Sequence, residues 1–210
     1  MKKRILCFGD SNTWGYIPGT AERYDEDTRW TSLLGKKLGD GFAVIEEGMT
    51  GRTTAFDTGF DDYLNGKKAL GYILKSQLPL DAVVVMLGTN DICDHRMDRI
   101  ELGLTEIVRQ IKNANRIFRT KTPVFPSDNP VVLLVSPLPF GDACPLSAEI
   151  KKESMLYPSM TKRVAVSMGV HFLDPGPYIK PSDTDGIHLS AESHALLASL
   201  VYNSLMETLL

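Results

Sequence analysis

The sequence is poor in cysteine, with three in 210 residues, at positions 7, 93 and 144, an odd number without CxxC spacing. That excludes a disulfide framework and a cysteine-rich zinc site and fits a reducing, cytoplasmic setting. Long apolar runs are missing too. The opening "MKKRILCFGDS" joins a basic head to about five apolar residues, fewer than the roughly 7–15 of a signal-peptide core, and nothing approaches the ~18 of a membrane span. No basic stripe exists: 23 Lys and Arg stand against 26 acids, for a net charge of −3, scattered as short pairs such as Lys36/Lys37 and Lys151/Lys152. Neither nucleic acid nor a membrane is therefore expected as a partner. Repeats, low-complexity tracts and linkers are lacking, so a 210-residue chain with 43% hydrophobic residues reads as one domain, 1–210.

What the chain does have is alternation. The β-branched runs "RILCFG" (4–9), "FAVIEE" (42–47), "DAVVVML" (81–87), "VVLLVS" (131–136) and "GVHFL" (169–173) read as strands. Several are continuously apolar, as strands buried on both faces are. Between them, 30–39, 65–78 and 98–118 carry helical period. The last of these puts Leu104, Ile107, Val108, Ile111, Ala114 and Ile117 on one face and opens on Asp98 and Glu101, spaced as a capping box. Two more helices are expected over 147–168 and 190–209, each with serine as N-cap. This pattern predicts a three-layer α/β/α domain on a five-stranded parallel sheet. Ligands of such sheets bind outside the carboxyl ends of the strands.

At those ends stand "GDSNTWG", "GMTGRTT", "GTND" and "DTDGIHLS". Ser11, between Gly9 and Gly15, leaves strand 1 on a turn that exposes its hydroxyl, as a nucleophile requires. A serine needs a base at neutral pH. His188 supplies one, and Asp185, turned back across Gly186, can hold the other ring nitrogen. Acyl transfer also needs donors for the developing oxyanion, and the N–H of Ser11, the N–H of Gly48 and the amide of Asn90 are available. A phosphate cradle is excluded because Tyr16 and Ile17, not Lys and Ser or Thr, follow the second glycine of "GDSNTWG".

The blocks "FGDSN", "EEG", "GTND" and "DGIH" resemble those of the SGNH hydrolases, also called the GDSL esterase and lipase family. "GDSNTWG", "VIEEGMTGRTT", "LPLDAVVVMLGTND" and "TDGIHLS" are similar to its bacterial arylesterase and acyltransferase branch. The resemblance implies a flavodoxin-like SGNH hydrolase fold, Ser11 as nucleophile, Asp185 and His188 completing a triad, Ser11, Gly48 and Asn90 as oxyanion hole, and homo-oligomers. No cofactor and no metal are expected. Two positions depart from the family: its leucine after the serine is Asn12, and its asparagine two residues before the second-block glycine is Glu46. Neither carries a proton transfer, and both bear on how the turn is braced.

The loops 16–28, 55–64, 92–97 and 137–158 are expected to frame a substrate pocket, with Ile17, Ile92, Leu138 and Phe140 forming a small apolar acyl site and His95 as a further wall. Asp10, grouped with them, reads as a general base or as an acceptor of turn N–H bonds, and Trp14 as a pocket wall or as core. Arg52 reads as a loop anchor, and His171 and His194 as structural. The acids at 57, 61, 62, 183 and 185 lack metal-motif spacing. The predicted activity is hydrolysis of a small-molecule ester, a short-chain carboxylic ester of an aryl or alkyl alcohol, through an acyl-enzyme on Ser11, with acyl transfer where the walls favour an alcohol over water. Carbohydrate O-deacetylation is the nearest alternative, with a thioester or lysophospholipid behind it. The rival from another class is a flavodoxin-like binding module without covalent chemistry.

Overall fold

A computed structural model describes residues 2–58, 62–92 and 97–209. The β-branched runs form β1 (Lys3–Gly9), β2 (Phe42–Gly48), β3 (Ala82–Met86), β4 (Val131–Val135) and β5 (His171–Leu173). All pair in parallel, in the order β2-β1-β3-β4-β5, which is the five-stranded parallel sheet that the alternation predicts. The helices are α1 (Ser11–Trp14), α2 (Trp30–Leu38), α3 (Gly66–Ser76), α4 (Met97–Lys112), α5 (Ala114–Phe118), α6 (Ala148–Ser154), α7 (Tyr157–Met168) and α8 (Ala191–Leu209).

Successive strand side chains point to opposite faces, and the sheet is apolar on both. Leu6 and Phe8 of β1, with Val83 and Val85 of β3, pack against Leu70 and Leu74 of α3, Ile100 and Ile107 of α4 and Val164 of α7. Ile5, Cys7, Val84 and Met86 pack the other way, against Trp30 and Leu34 of α2 and Leu197 and Val201 of α8. Each large side chain buried in this way contributes roughly 1.5–3 kcal/mol. Three layers result. Among the described residues no helix is long and apolar enough to cross a membrane.

Helix boundaries differ from expectation at two places. The stretch 98–118 divides into α4 and α5 at Asn113, whose amide bonds back to the Arg109 carbonyl at 2.8 Å. Asp98 lies inside the first turn of α4 and is not its cap. The stretch 147–168 divides into α6 and α7 because Pro158, in the first turn of α7, has no N–H with which to continue the preceding helix. The serine caps form as expected, Ser147 Oγ accepting from Ile150 N at 3.3 Å and Ser190 Oγ from Ser193 N at 3.2 Å.

The register sets up the site. Gly9 of β1 lies level with Gly48 of β2 and Met86 of β3. Asp10–Ser11, Met49–Arg52 and Leu87–Asn90 therefore leave the sheet side by side. Chain order reverses here, β2 lying on one side of β1 and β3 on the other, and that crevice is where open parallel sheets take their ligands.

Candidate active site

Ser11 is the first residue of α1, a single turn too short to show a period. The Asp10 carboxylate caps it by accepting from Asn12 N at 3.0 Å, and the Gly15 N–H closes it on the Ser11 carbonyl at 2.9 Å. Asp10 is thus an acceptor of turn N–H groups, one of its two expected roles. Burial pushes its acid up to about 6, against the lowering effect of the Asn12 N–H.

His188 comes to this turn from a loop 177 residues downstream, and its Nε2 lies 3.0 Å from Ser11 Oγ. Its Nδ1 lies 2.7 Å from Asp185 Oδ2. The backbone N–H groups of Ile187 and His188 donate to Asp185 Oδ1 at 2.9 and 3.0 Å, and Gly19 N to Oδ2 at 3.3 Å. Burial alone would raise the Asp185 acid, but these bonds and the His188 ring outweigh it and hold the group below its ordinary value, hence ionised. The Tyr16 ring stacks on His188 with centroids 4.2 Å apart at 25°. The three residues predicted from "GDS" and "DGIH" are therefore joined in one hydrogen-bonded chain. Asn12, expected to bear on how the turn is braced, bonds the His188 loop, and Tyr16 and Gly19 join the same arrangement unforeseen, because ring stacking and loop-to-loop bonds leave no periodic trace in sequence.

The expected oxyanion donors divide. Asn90 Nδ2 donates to the Arg52 carbonyl at 2.9 Å, and the second N–H of its amide is left for another acceptor. Gly48 is placed otherwise than expected. Met49 N donates to Gly9 O of β1 at 3.2 Å, and since successive N–H groups of a strand alternate in direction, the Gly48 N–H points off the outer edge of β2, away from Ser11. Glycine is needed there for packing: a Cβ would lie 2.1 Å from Trp14 N and 2.4 Å from Thr13 C of α1. In the following turn, Gly51 adopts φ +76, and its N–H has no hydrogen-bond partner among the described residues. Arg52 anchors this turn as expected. Its buried guanidinium donates to the carbonyls of Gly9, at 2.9 Å, and Glu47, and lies over Phe8 at 4.3 Å. Asp91 also braces it, accepting from Thr54 N and Oγ1 at 3.0 and 2.6 Å.

Among the predicted pocket residues, Trp14 is half-buried beside the site, with Arg23 over its ring at 5.3 Å, so it is not core. Ile92 and Phe140 are buried in the cluster beneath α3, α4 and α7, Phe140 edge-on to Tyr157. Leu138 lines, with Asn12 and Leu189, a small void of about 10 Å³, room for one water at most. These three apolar residues were expected at an acyl site and are instead core, each at most 9% exposed. His95 lies outside the described residues. Glu46 takes the Arg29 guanidinium at 2.9 Å along with Thr31 and Ser32, tying β2 to α2. Among the described residues no group of three His, Cys, Asp or Glu side chains stands together as a metal site.

Residues 7–196 match the model of a GDSL-like lipase/acylhydrolase family. An aryl esterase from M. smegmatis is similar at 35% identity, over 98% of this chain and 99% of that one, with a TM-score of 0.89. A carbohydrate acetylesterase from Sinorhizobium meliloti is similar to the same degree, at 35% identity, 98% and 99% coverage and a TM-score of 0.89. A further carbohydrate acetylesterase family member from that organism is 30% identical over 98% of each chain, with a TM-score of 0.85. No curated protein matches the sequence.

Proposed function

The chain belongs to the GDSL-like lipase/acylhydrolase family, and from that premise we propose that it is a serine esterase acting on short-chain carboxylic esters. The observation that carries the reading is the Asp185–His188–Ser11 chain, 2.7 Å and 3.0 Å across its two links. Ser11 Oγ attacks the ester carbonyl while His188 Nε2 takes its proton, and Asp185 holds the ring and offsets the imidazolium charge. The carbonyl oxygen, now negative, rests against the N–H of Ser11, the free N–H of Asn90 and the N–H of Gly51, which takes the place first expected of Gly48. His188 then protonates the departing alcohol and leaves an acyl group on Ser11. Water, deprotonated by the same nitrogen, attacks that acyl group and frees the acid; an alcohol in its place gives acyl transfer.

Aryl or alkyl acetates and acetylated sugars are both substrates to test, the second because a carbohydrate acetylesterase is as similar to this chain as the aryl esterase is. The test is initial rates on p-nitrophenyl acetate, butyrate and octanoate beside a peracetylated sugar. Acetate turning over fastest, with octanoate slowest, is expected. Failure to hydrolyse any of the four overturns the reading.

A further inference from the structure

We propose that Asn12 is a positioning residue that holds His188 in place while Ser11 is acylated, an inference resting on the esterase reading above. Asn12 is 6% exposed, and its carboxamide faces the His188 loop. Its Oδ1 accepts the Leu189 N–H at 3.0 Å, and its Nδ2 donates to the Ile187 carbonyl over a longer 3.4 Å. One side chain thus grips the backbone on both sides of His188. The grip is itself fixed, because Asn12 N donates to Asp10 Oδ1 at 3.0 Å and its carbonyl accepts from Trp30 Nε1 at 3.2 Å. Nucleophile turn and histidine loop are thereby linked by groups that take no part in the proton transfers.

The chemistry makes such a link useful at one stage above others. In the free enzyme the Ser11 hydroxyl bonds directly to His188 Nε2. Once Ser11 is an ester, its oxygen has no proton to donate, and that bond is gone. For deacylation the imidazole must still aim at a water on the acyl carbon: Nε2 takes a water proton as the new C–O bond forms, then returns it to Ser11 Oγ as the ester bond breaks. During this interval Asp185 and Tyr16 hold the ring, and Asn12 holds the backbone that carries it.

Leucine has nearly the shape of asparagine without its polar atoms, so Asn12→Leu removes the grip with little change of volume. With p-nitrophenyl acetate, kcat is expected to fall about 10- to 100-fold, the scale of a misplacement near 1 Å. KM should fall with it, so that kcat/KM changes far less, and a burst of p-nitrophenol approaching one equivalent should mark the accumulating acyl-enzyme. Asn12→Asp keeps the acceptor for Leu189 but, ionised, repels the Ile187 carbonyl; it should show the same signature at smaller amplitude and serves where the leucine variant does not fold. A kcat within twofold of wild type, or an equal fall in kcat and kcat/KM without a burst, overturns the proposal while wild-type turnover leaves the esterase reading standing. A wild-type protein inert to esters and to fluorophosphonate overturns the esterase reading itself, and this inference with it.

Discussion

Asp10 lies buried next to Ser11, one carboxylate oxygen accepting from Asn12 N. Its acid is raised from 3.8 to about 6, chiefly by burial. Between those values the folded chain holds more protons than the unfolded one, so stability falls as pH rises through the window, and the ionised group costs roughly 3 kcal/mol above it. Asp10→Asn keeps an acceptor for Asn12 and carries no charge. Thermal unfolding is expected to show its Tm raised by roughly 5–10 °C at pH 7.5 and little changed at pH 4; an equal shift at both would contradict this account of Asp10. Asn90 makes a second residue-scale case. One N–H is spent on the Arg52 carbonyl and the other is assigned to the oxyanion, so Asn90→Ala should lower kcat about 10²–10³-fold on p-nitrophenyl acetate, and an unchanged kcat would remove Asn90 from the site.

The first turn of α2 shows how an element depends on a residue distant in sequence. Its cap, Arg29, makes no side-chain cap bond, and the Trp30 N–H instead donates to the buried ring of His194 at 3.2 Å. Burial first, then the charge of Arg29, lowers the His194 pKa from 6.5 to about 4. Its neutral form therefore supports the fold fully above pH 6.5, and that support, roughly 3 kcal/mol, is lost as pH falls toward 4. His194→Asn places an acceptor near Nδ1 without titrating there, so its stability between pH 6.5 and 4 should fall less steeply in urea unfolding; an unchanged slope would contradict the assignment. Close packing of β2 and α1 gives a companion test. Gly48→Ala places a Cβ 2.1 Å from Trp14 N and should cost roughly 1–3 kcal/mol or more. Gly35→Ala, whose Cβ would meet Val44 at an ordinary 3.6 Å inside α2, should instead gain about 0.5–1 kcal/mol. The strands were legible because two-sided burial writes itself as unbroken β-branched runs. Element ends were less so: Asn113 and Pro158 cut helices whose apolar period runs on past them, and α1 is too short to have a period at all.

At the scale of the whole molecule, the sheet brings segments far apart in the chain to one edge. Gly9, Gly48 and Met86 lie level, and the His188 loop closes over them from 177 residues beyond Ser11. The Ser11, Asn90, Asp185 and His188 positions could be read from sequence because each is a chemical group at a strand end with a partner the reaction needs. The direction of the Gly48 N–H could not, since it depends on strand register, and the pocket walls could not, since Ile92, Leu138 and Phe140 are as suited to core as to substrate. On the proposed reading, this convergence makes Ser11 a nucleophile. Peptide mapping by mass spectrometry after treatment with a fluorophosphonate tests it directly. One adduct is expected, on Ser11, lost in Ser11→Ala and slowed by orders of magnitude in His188→Ala; an unlabelled protein, or the same adduct mass in Ser11→Ala, would rule Ser11 out.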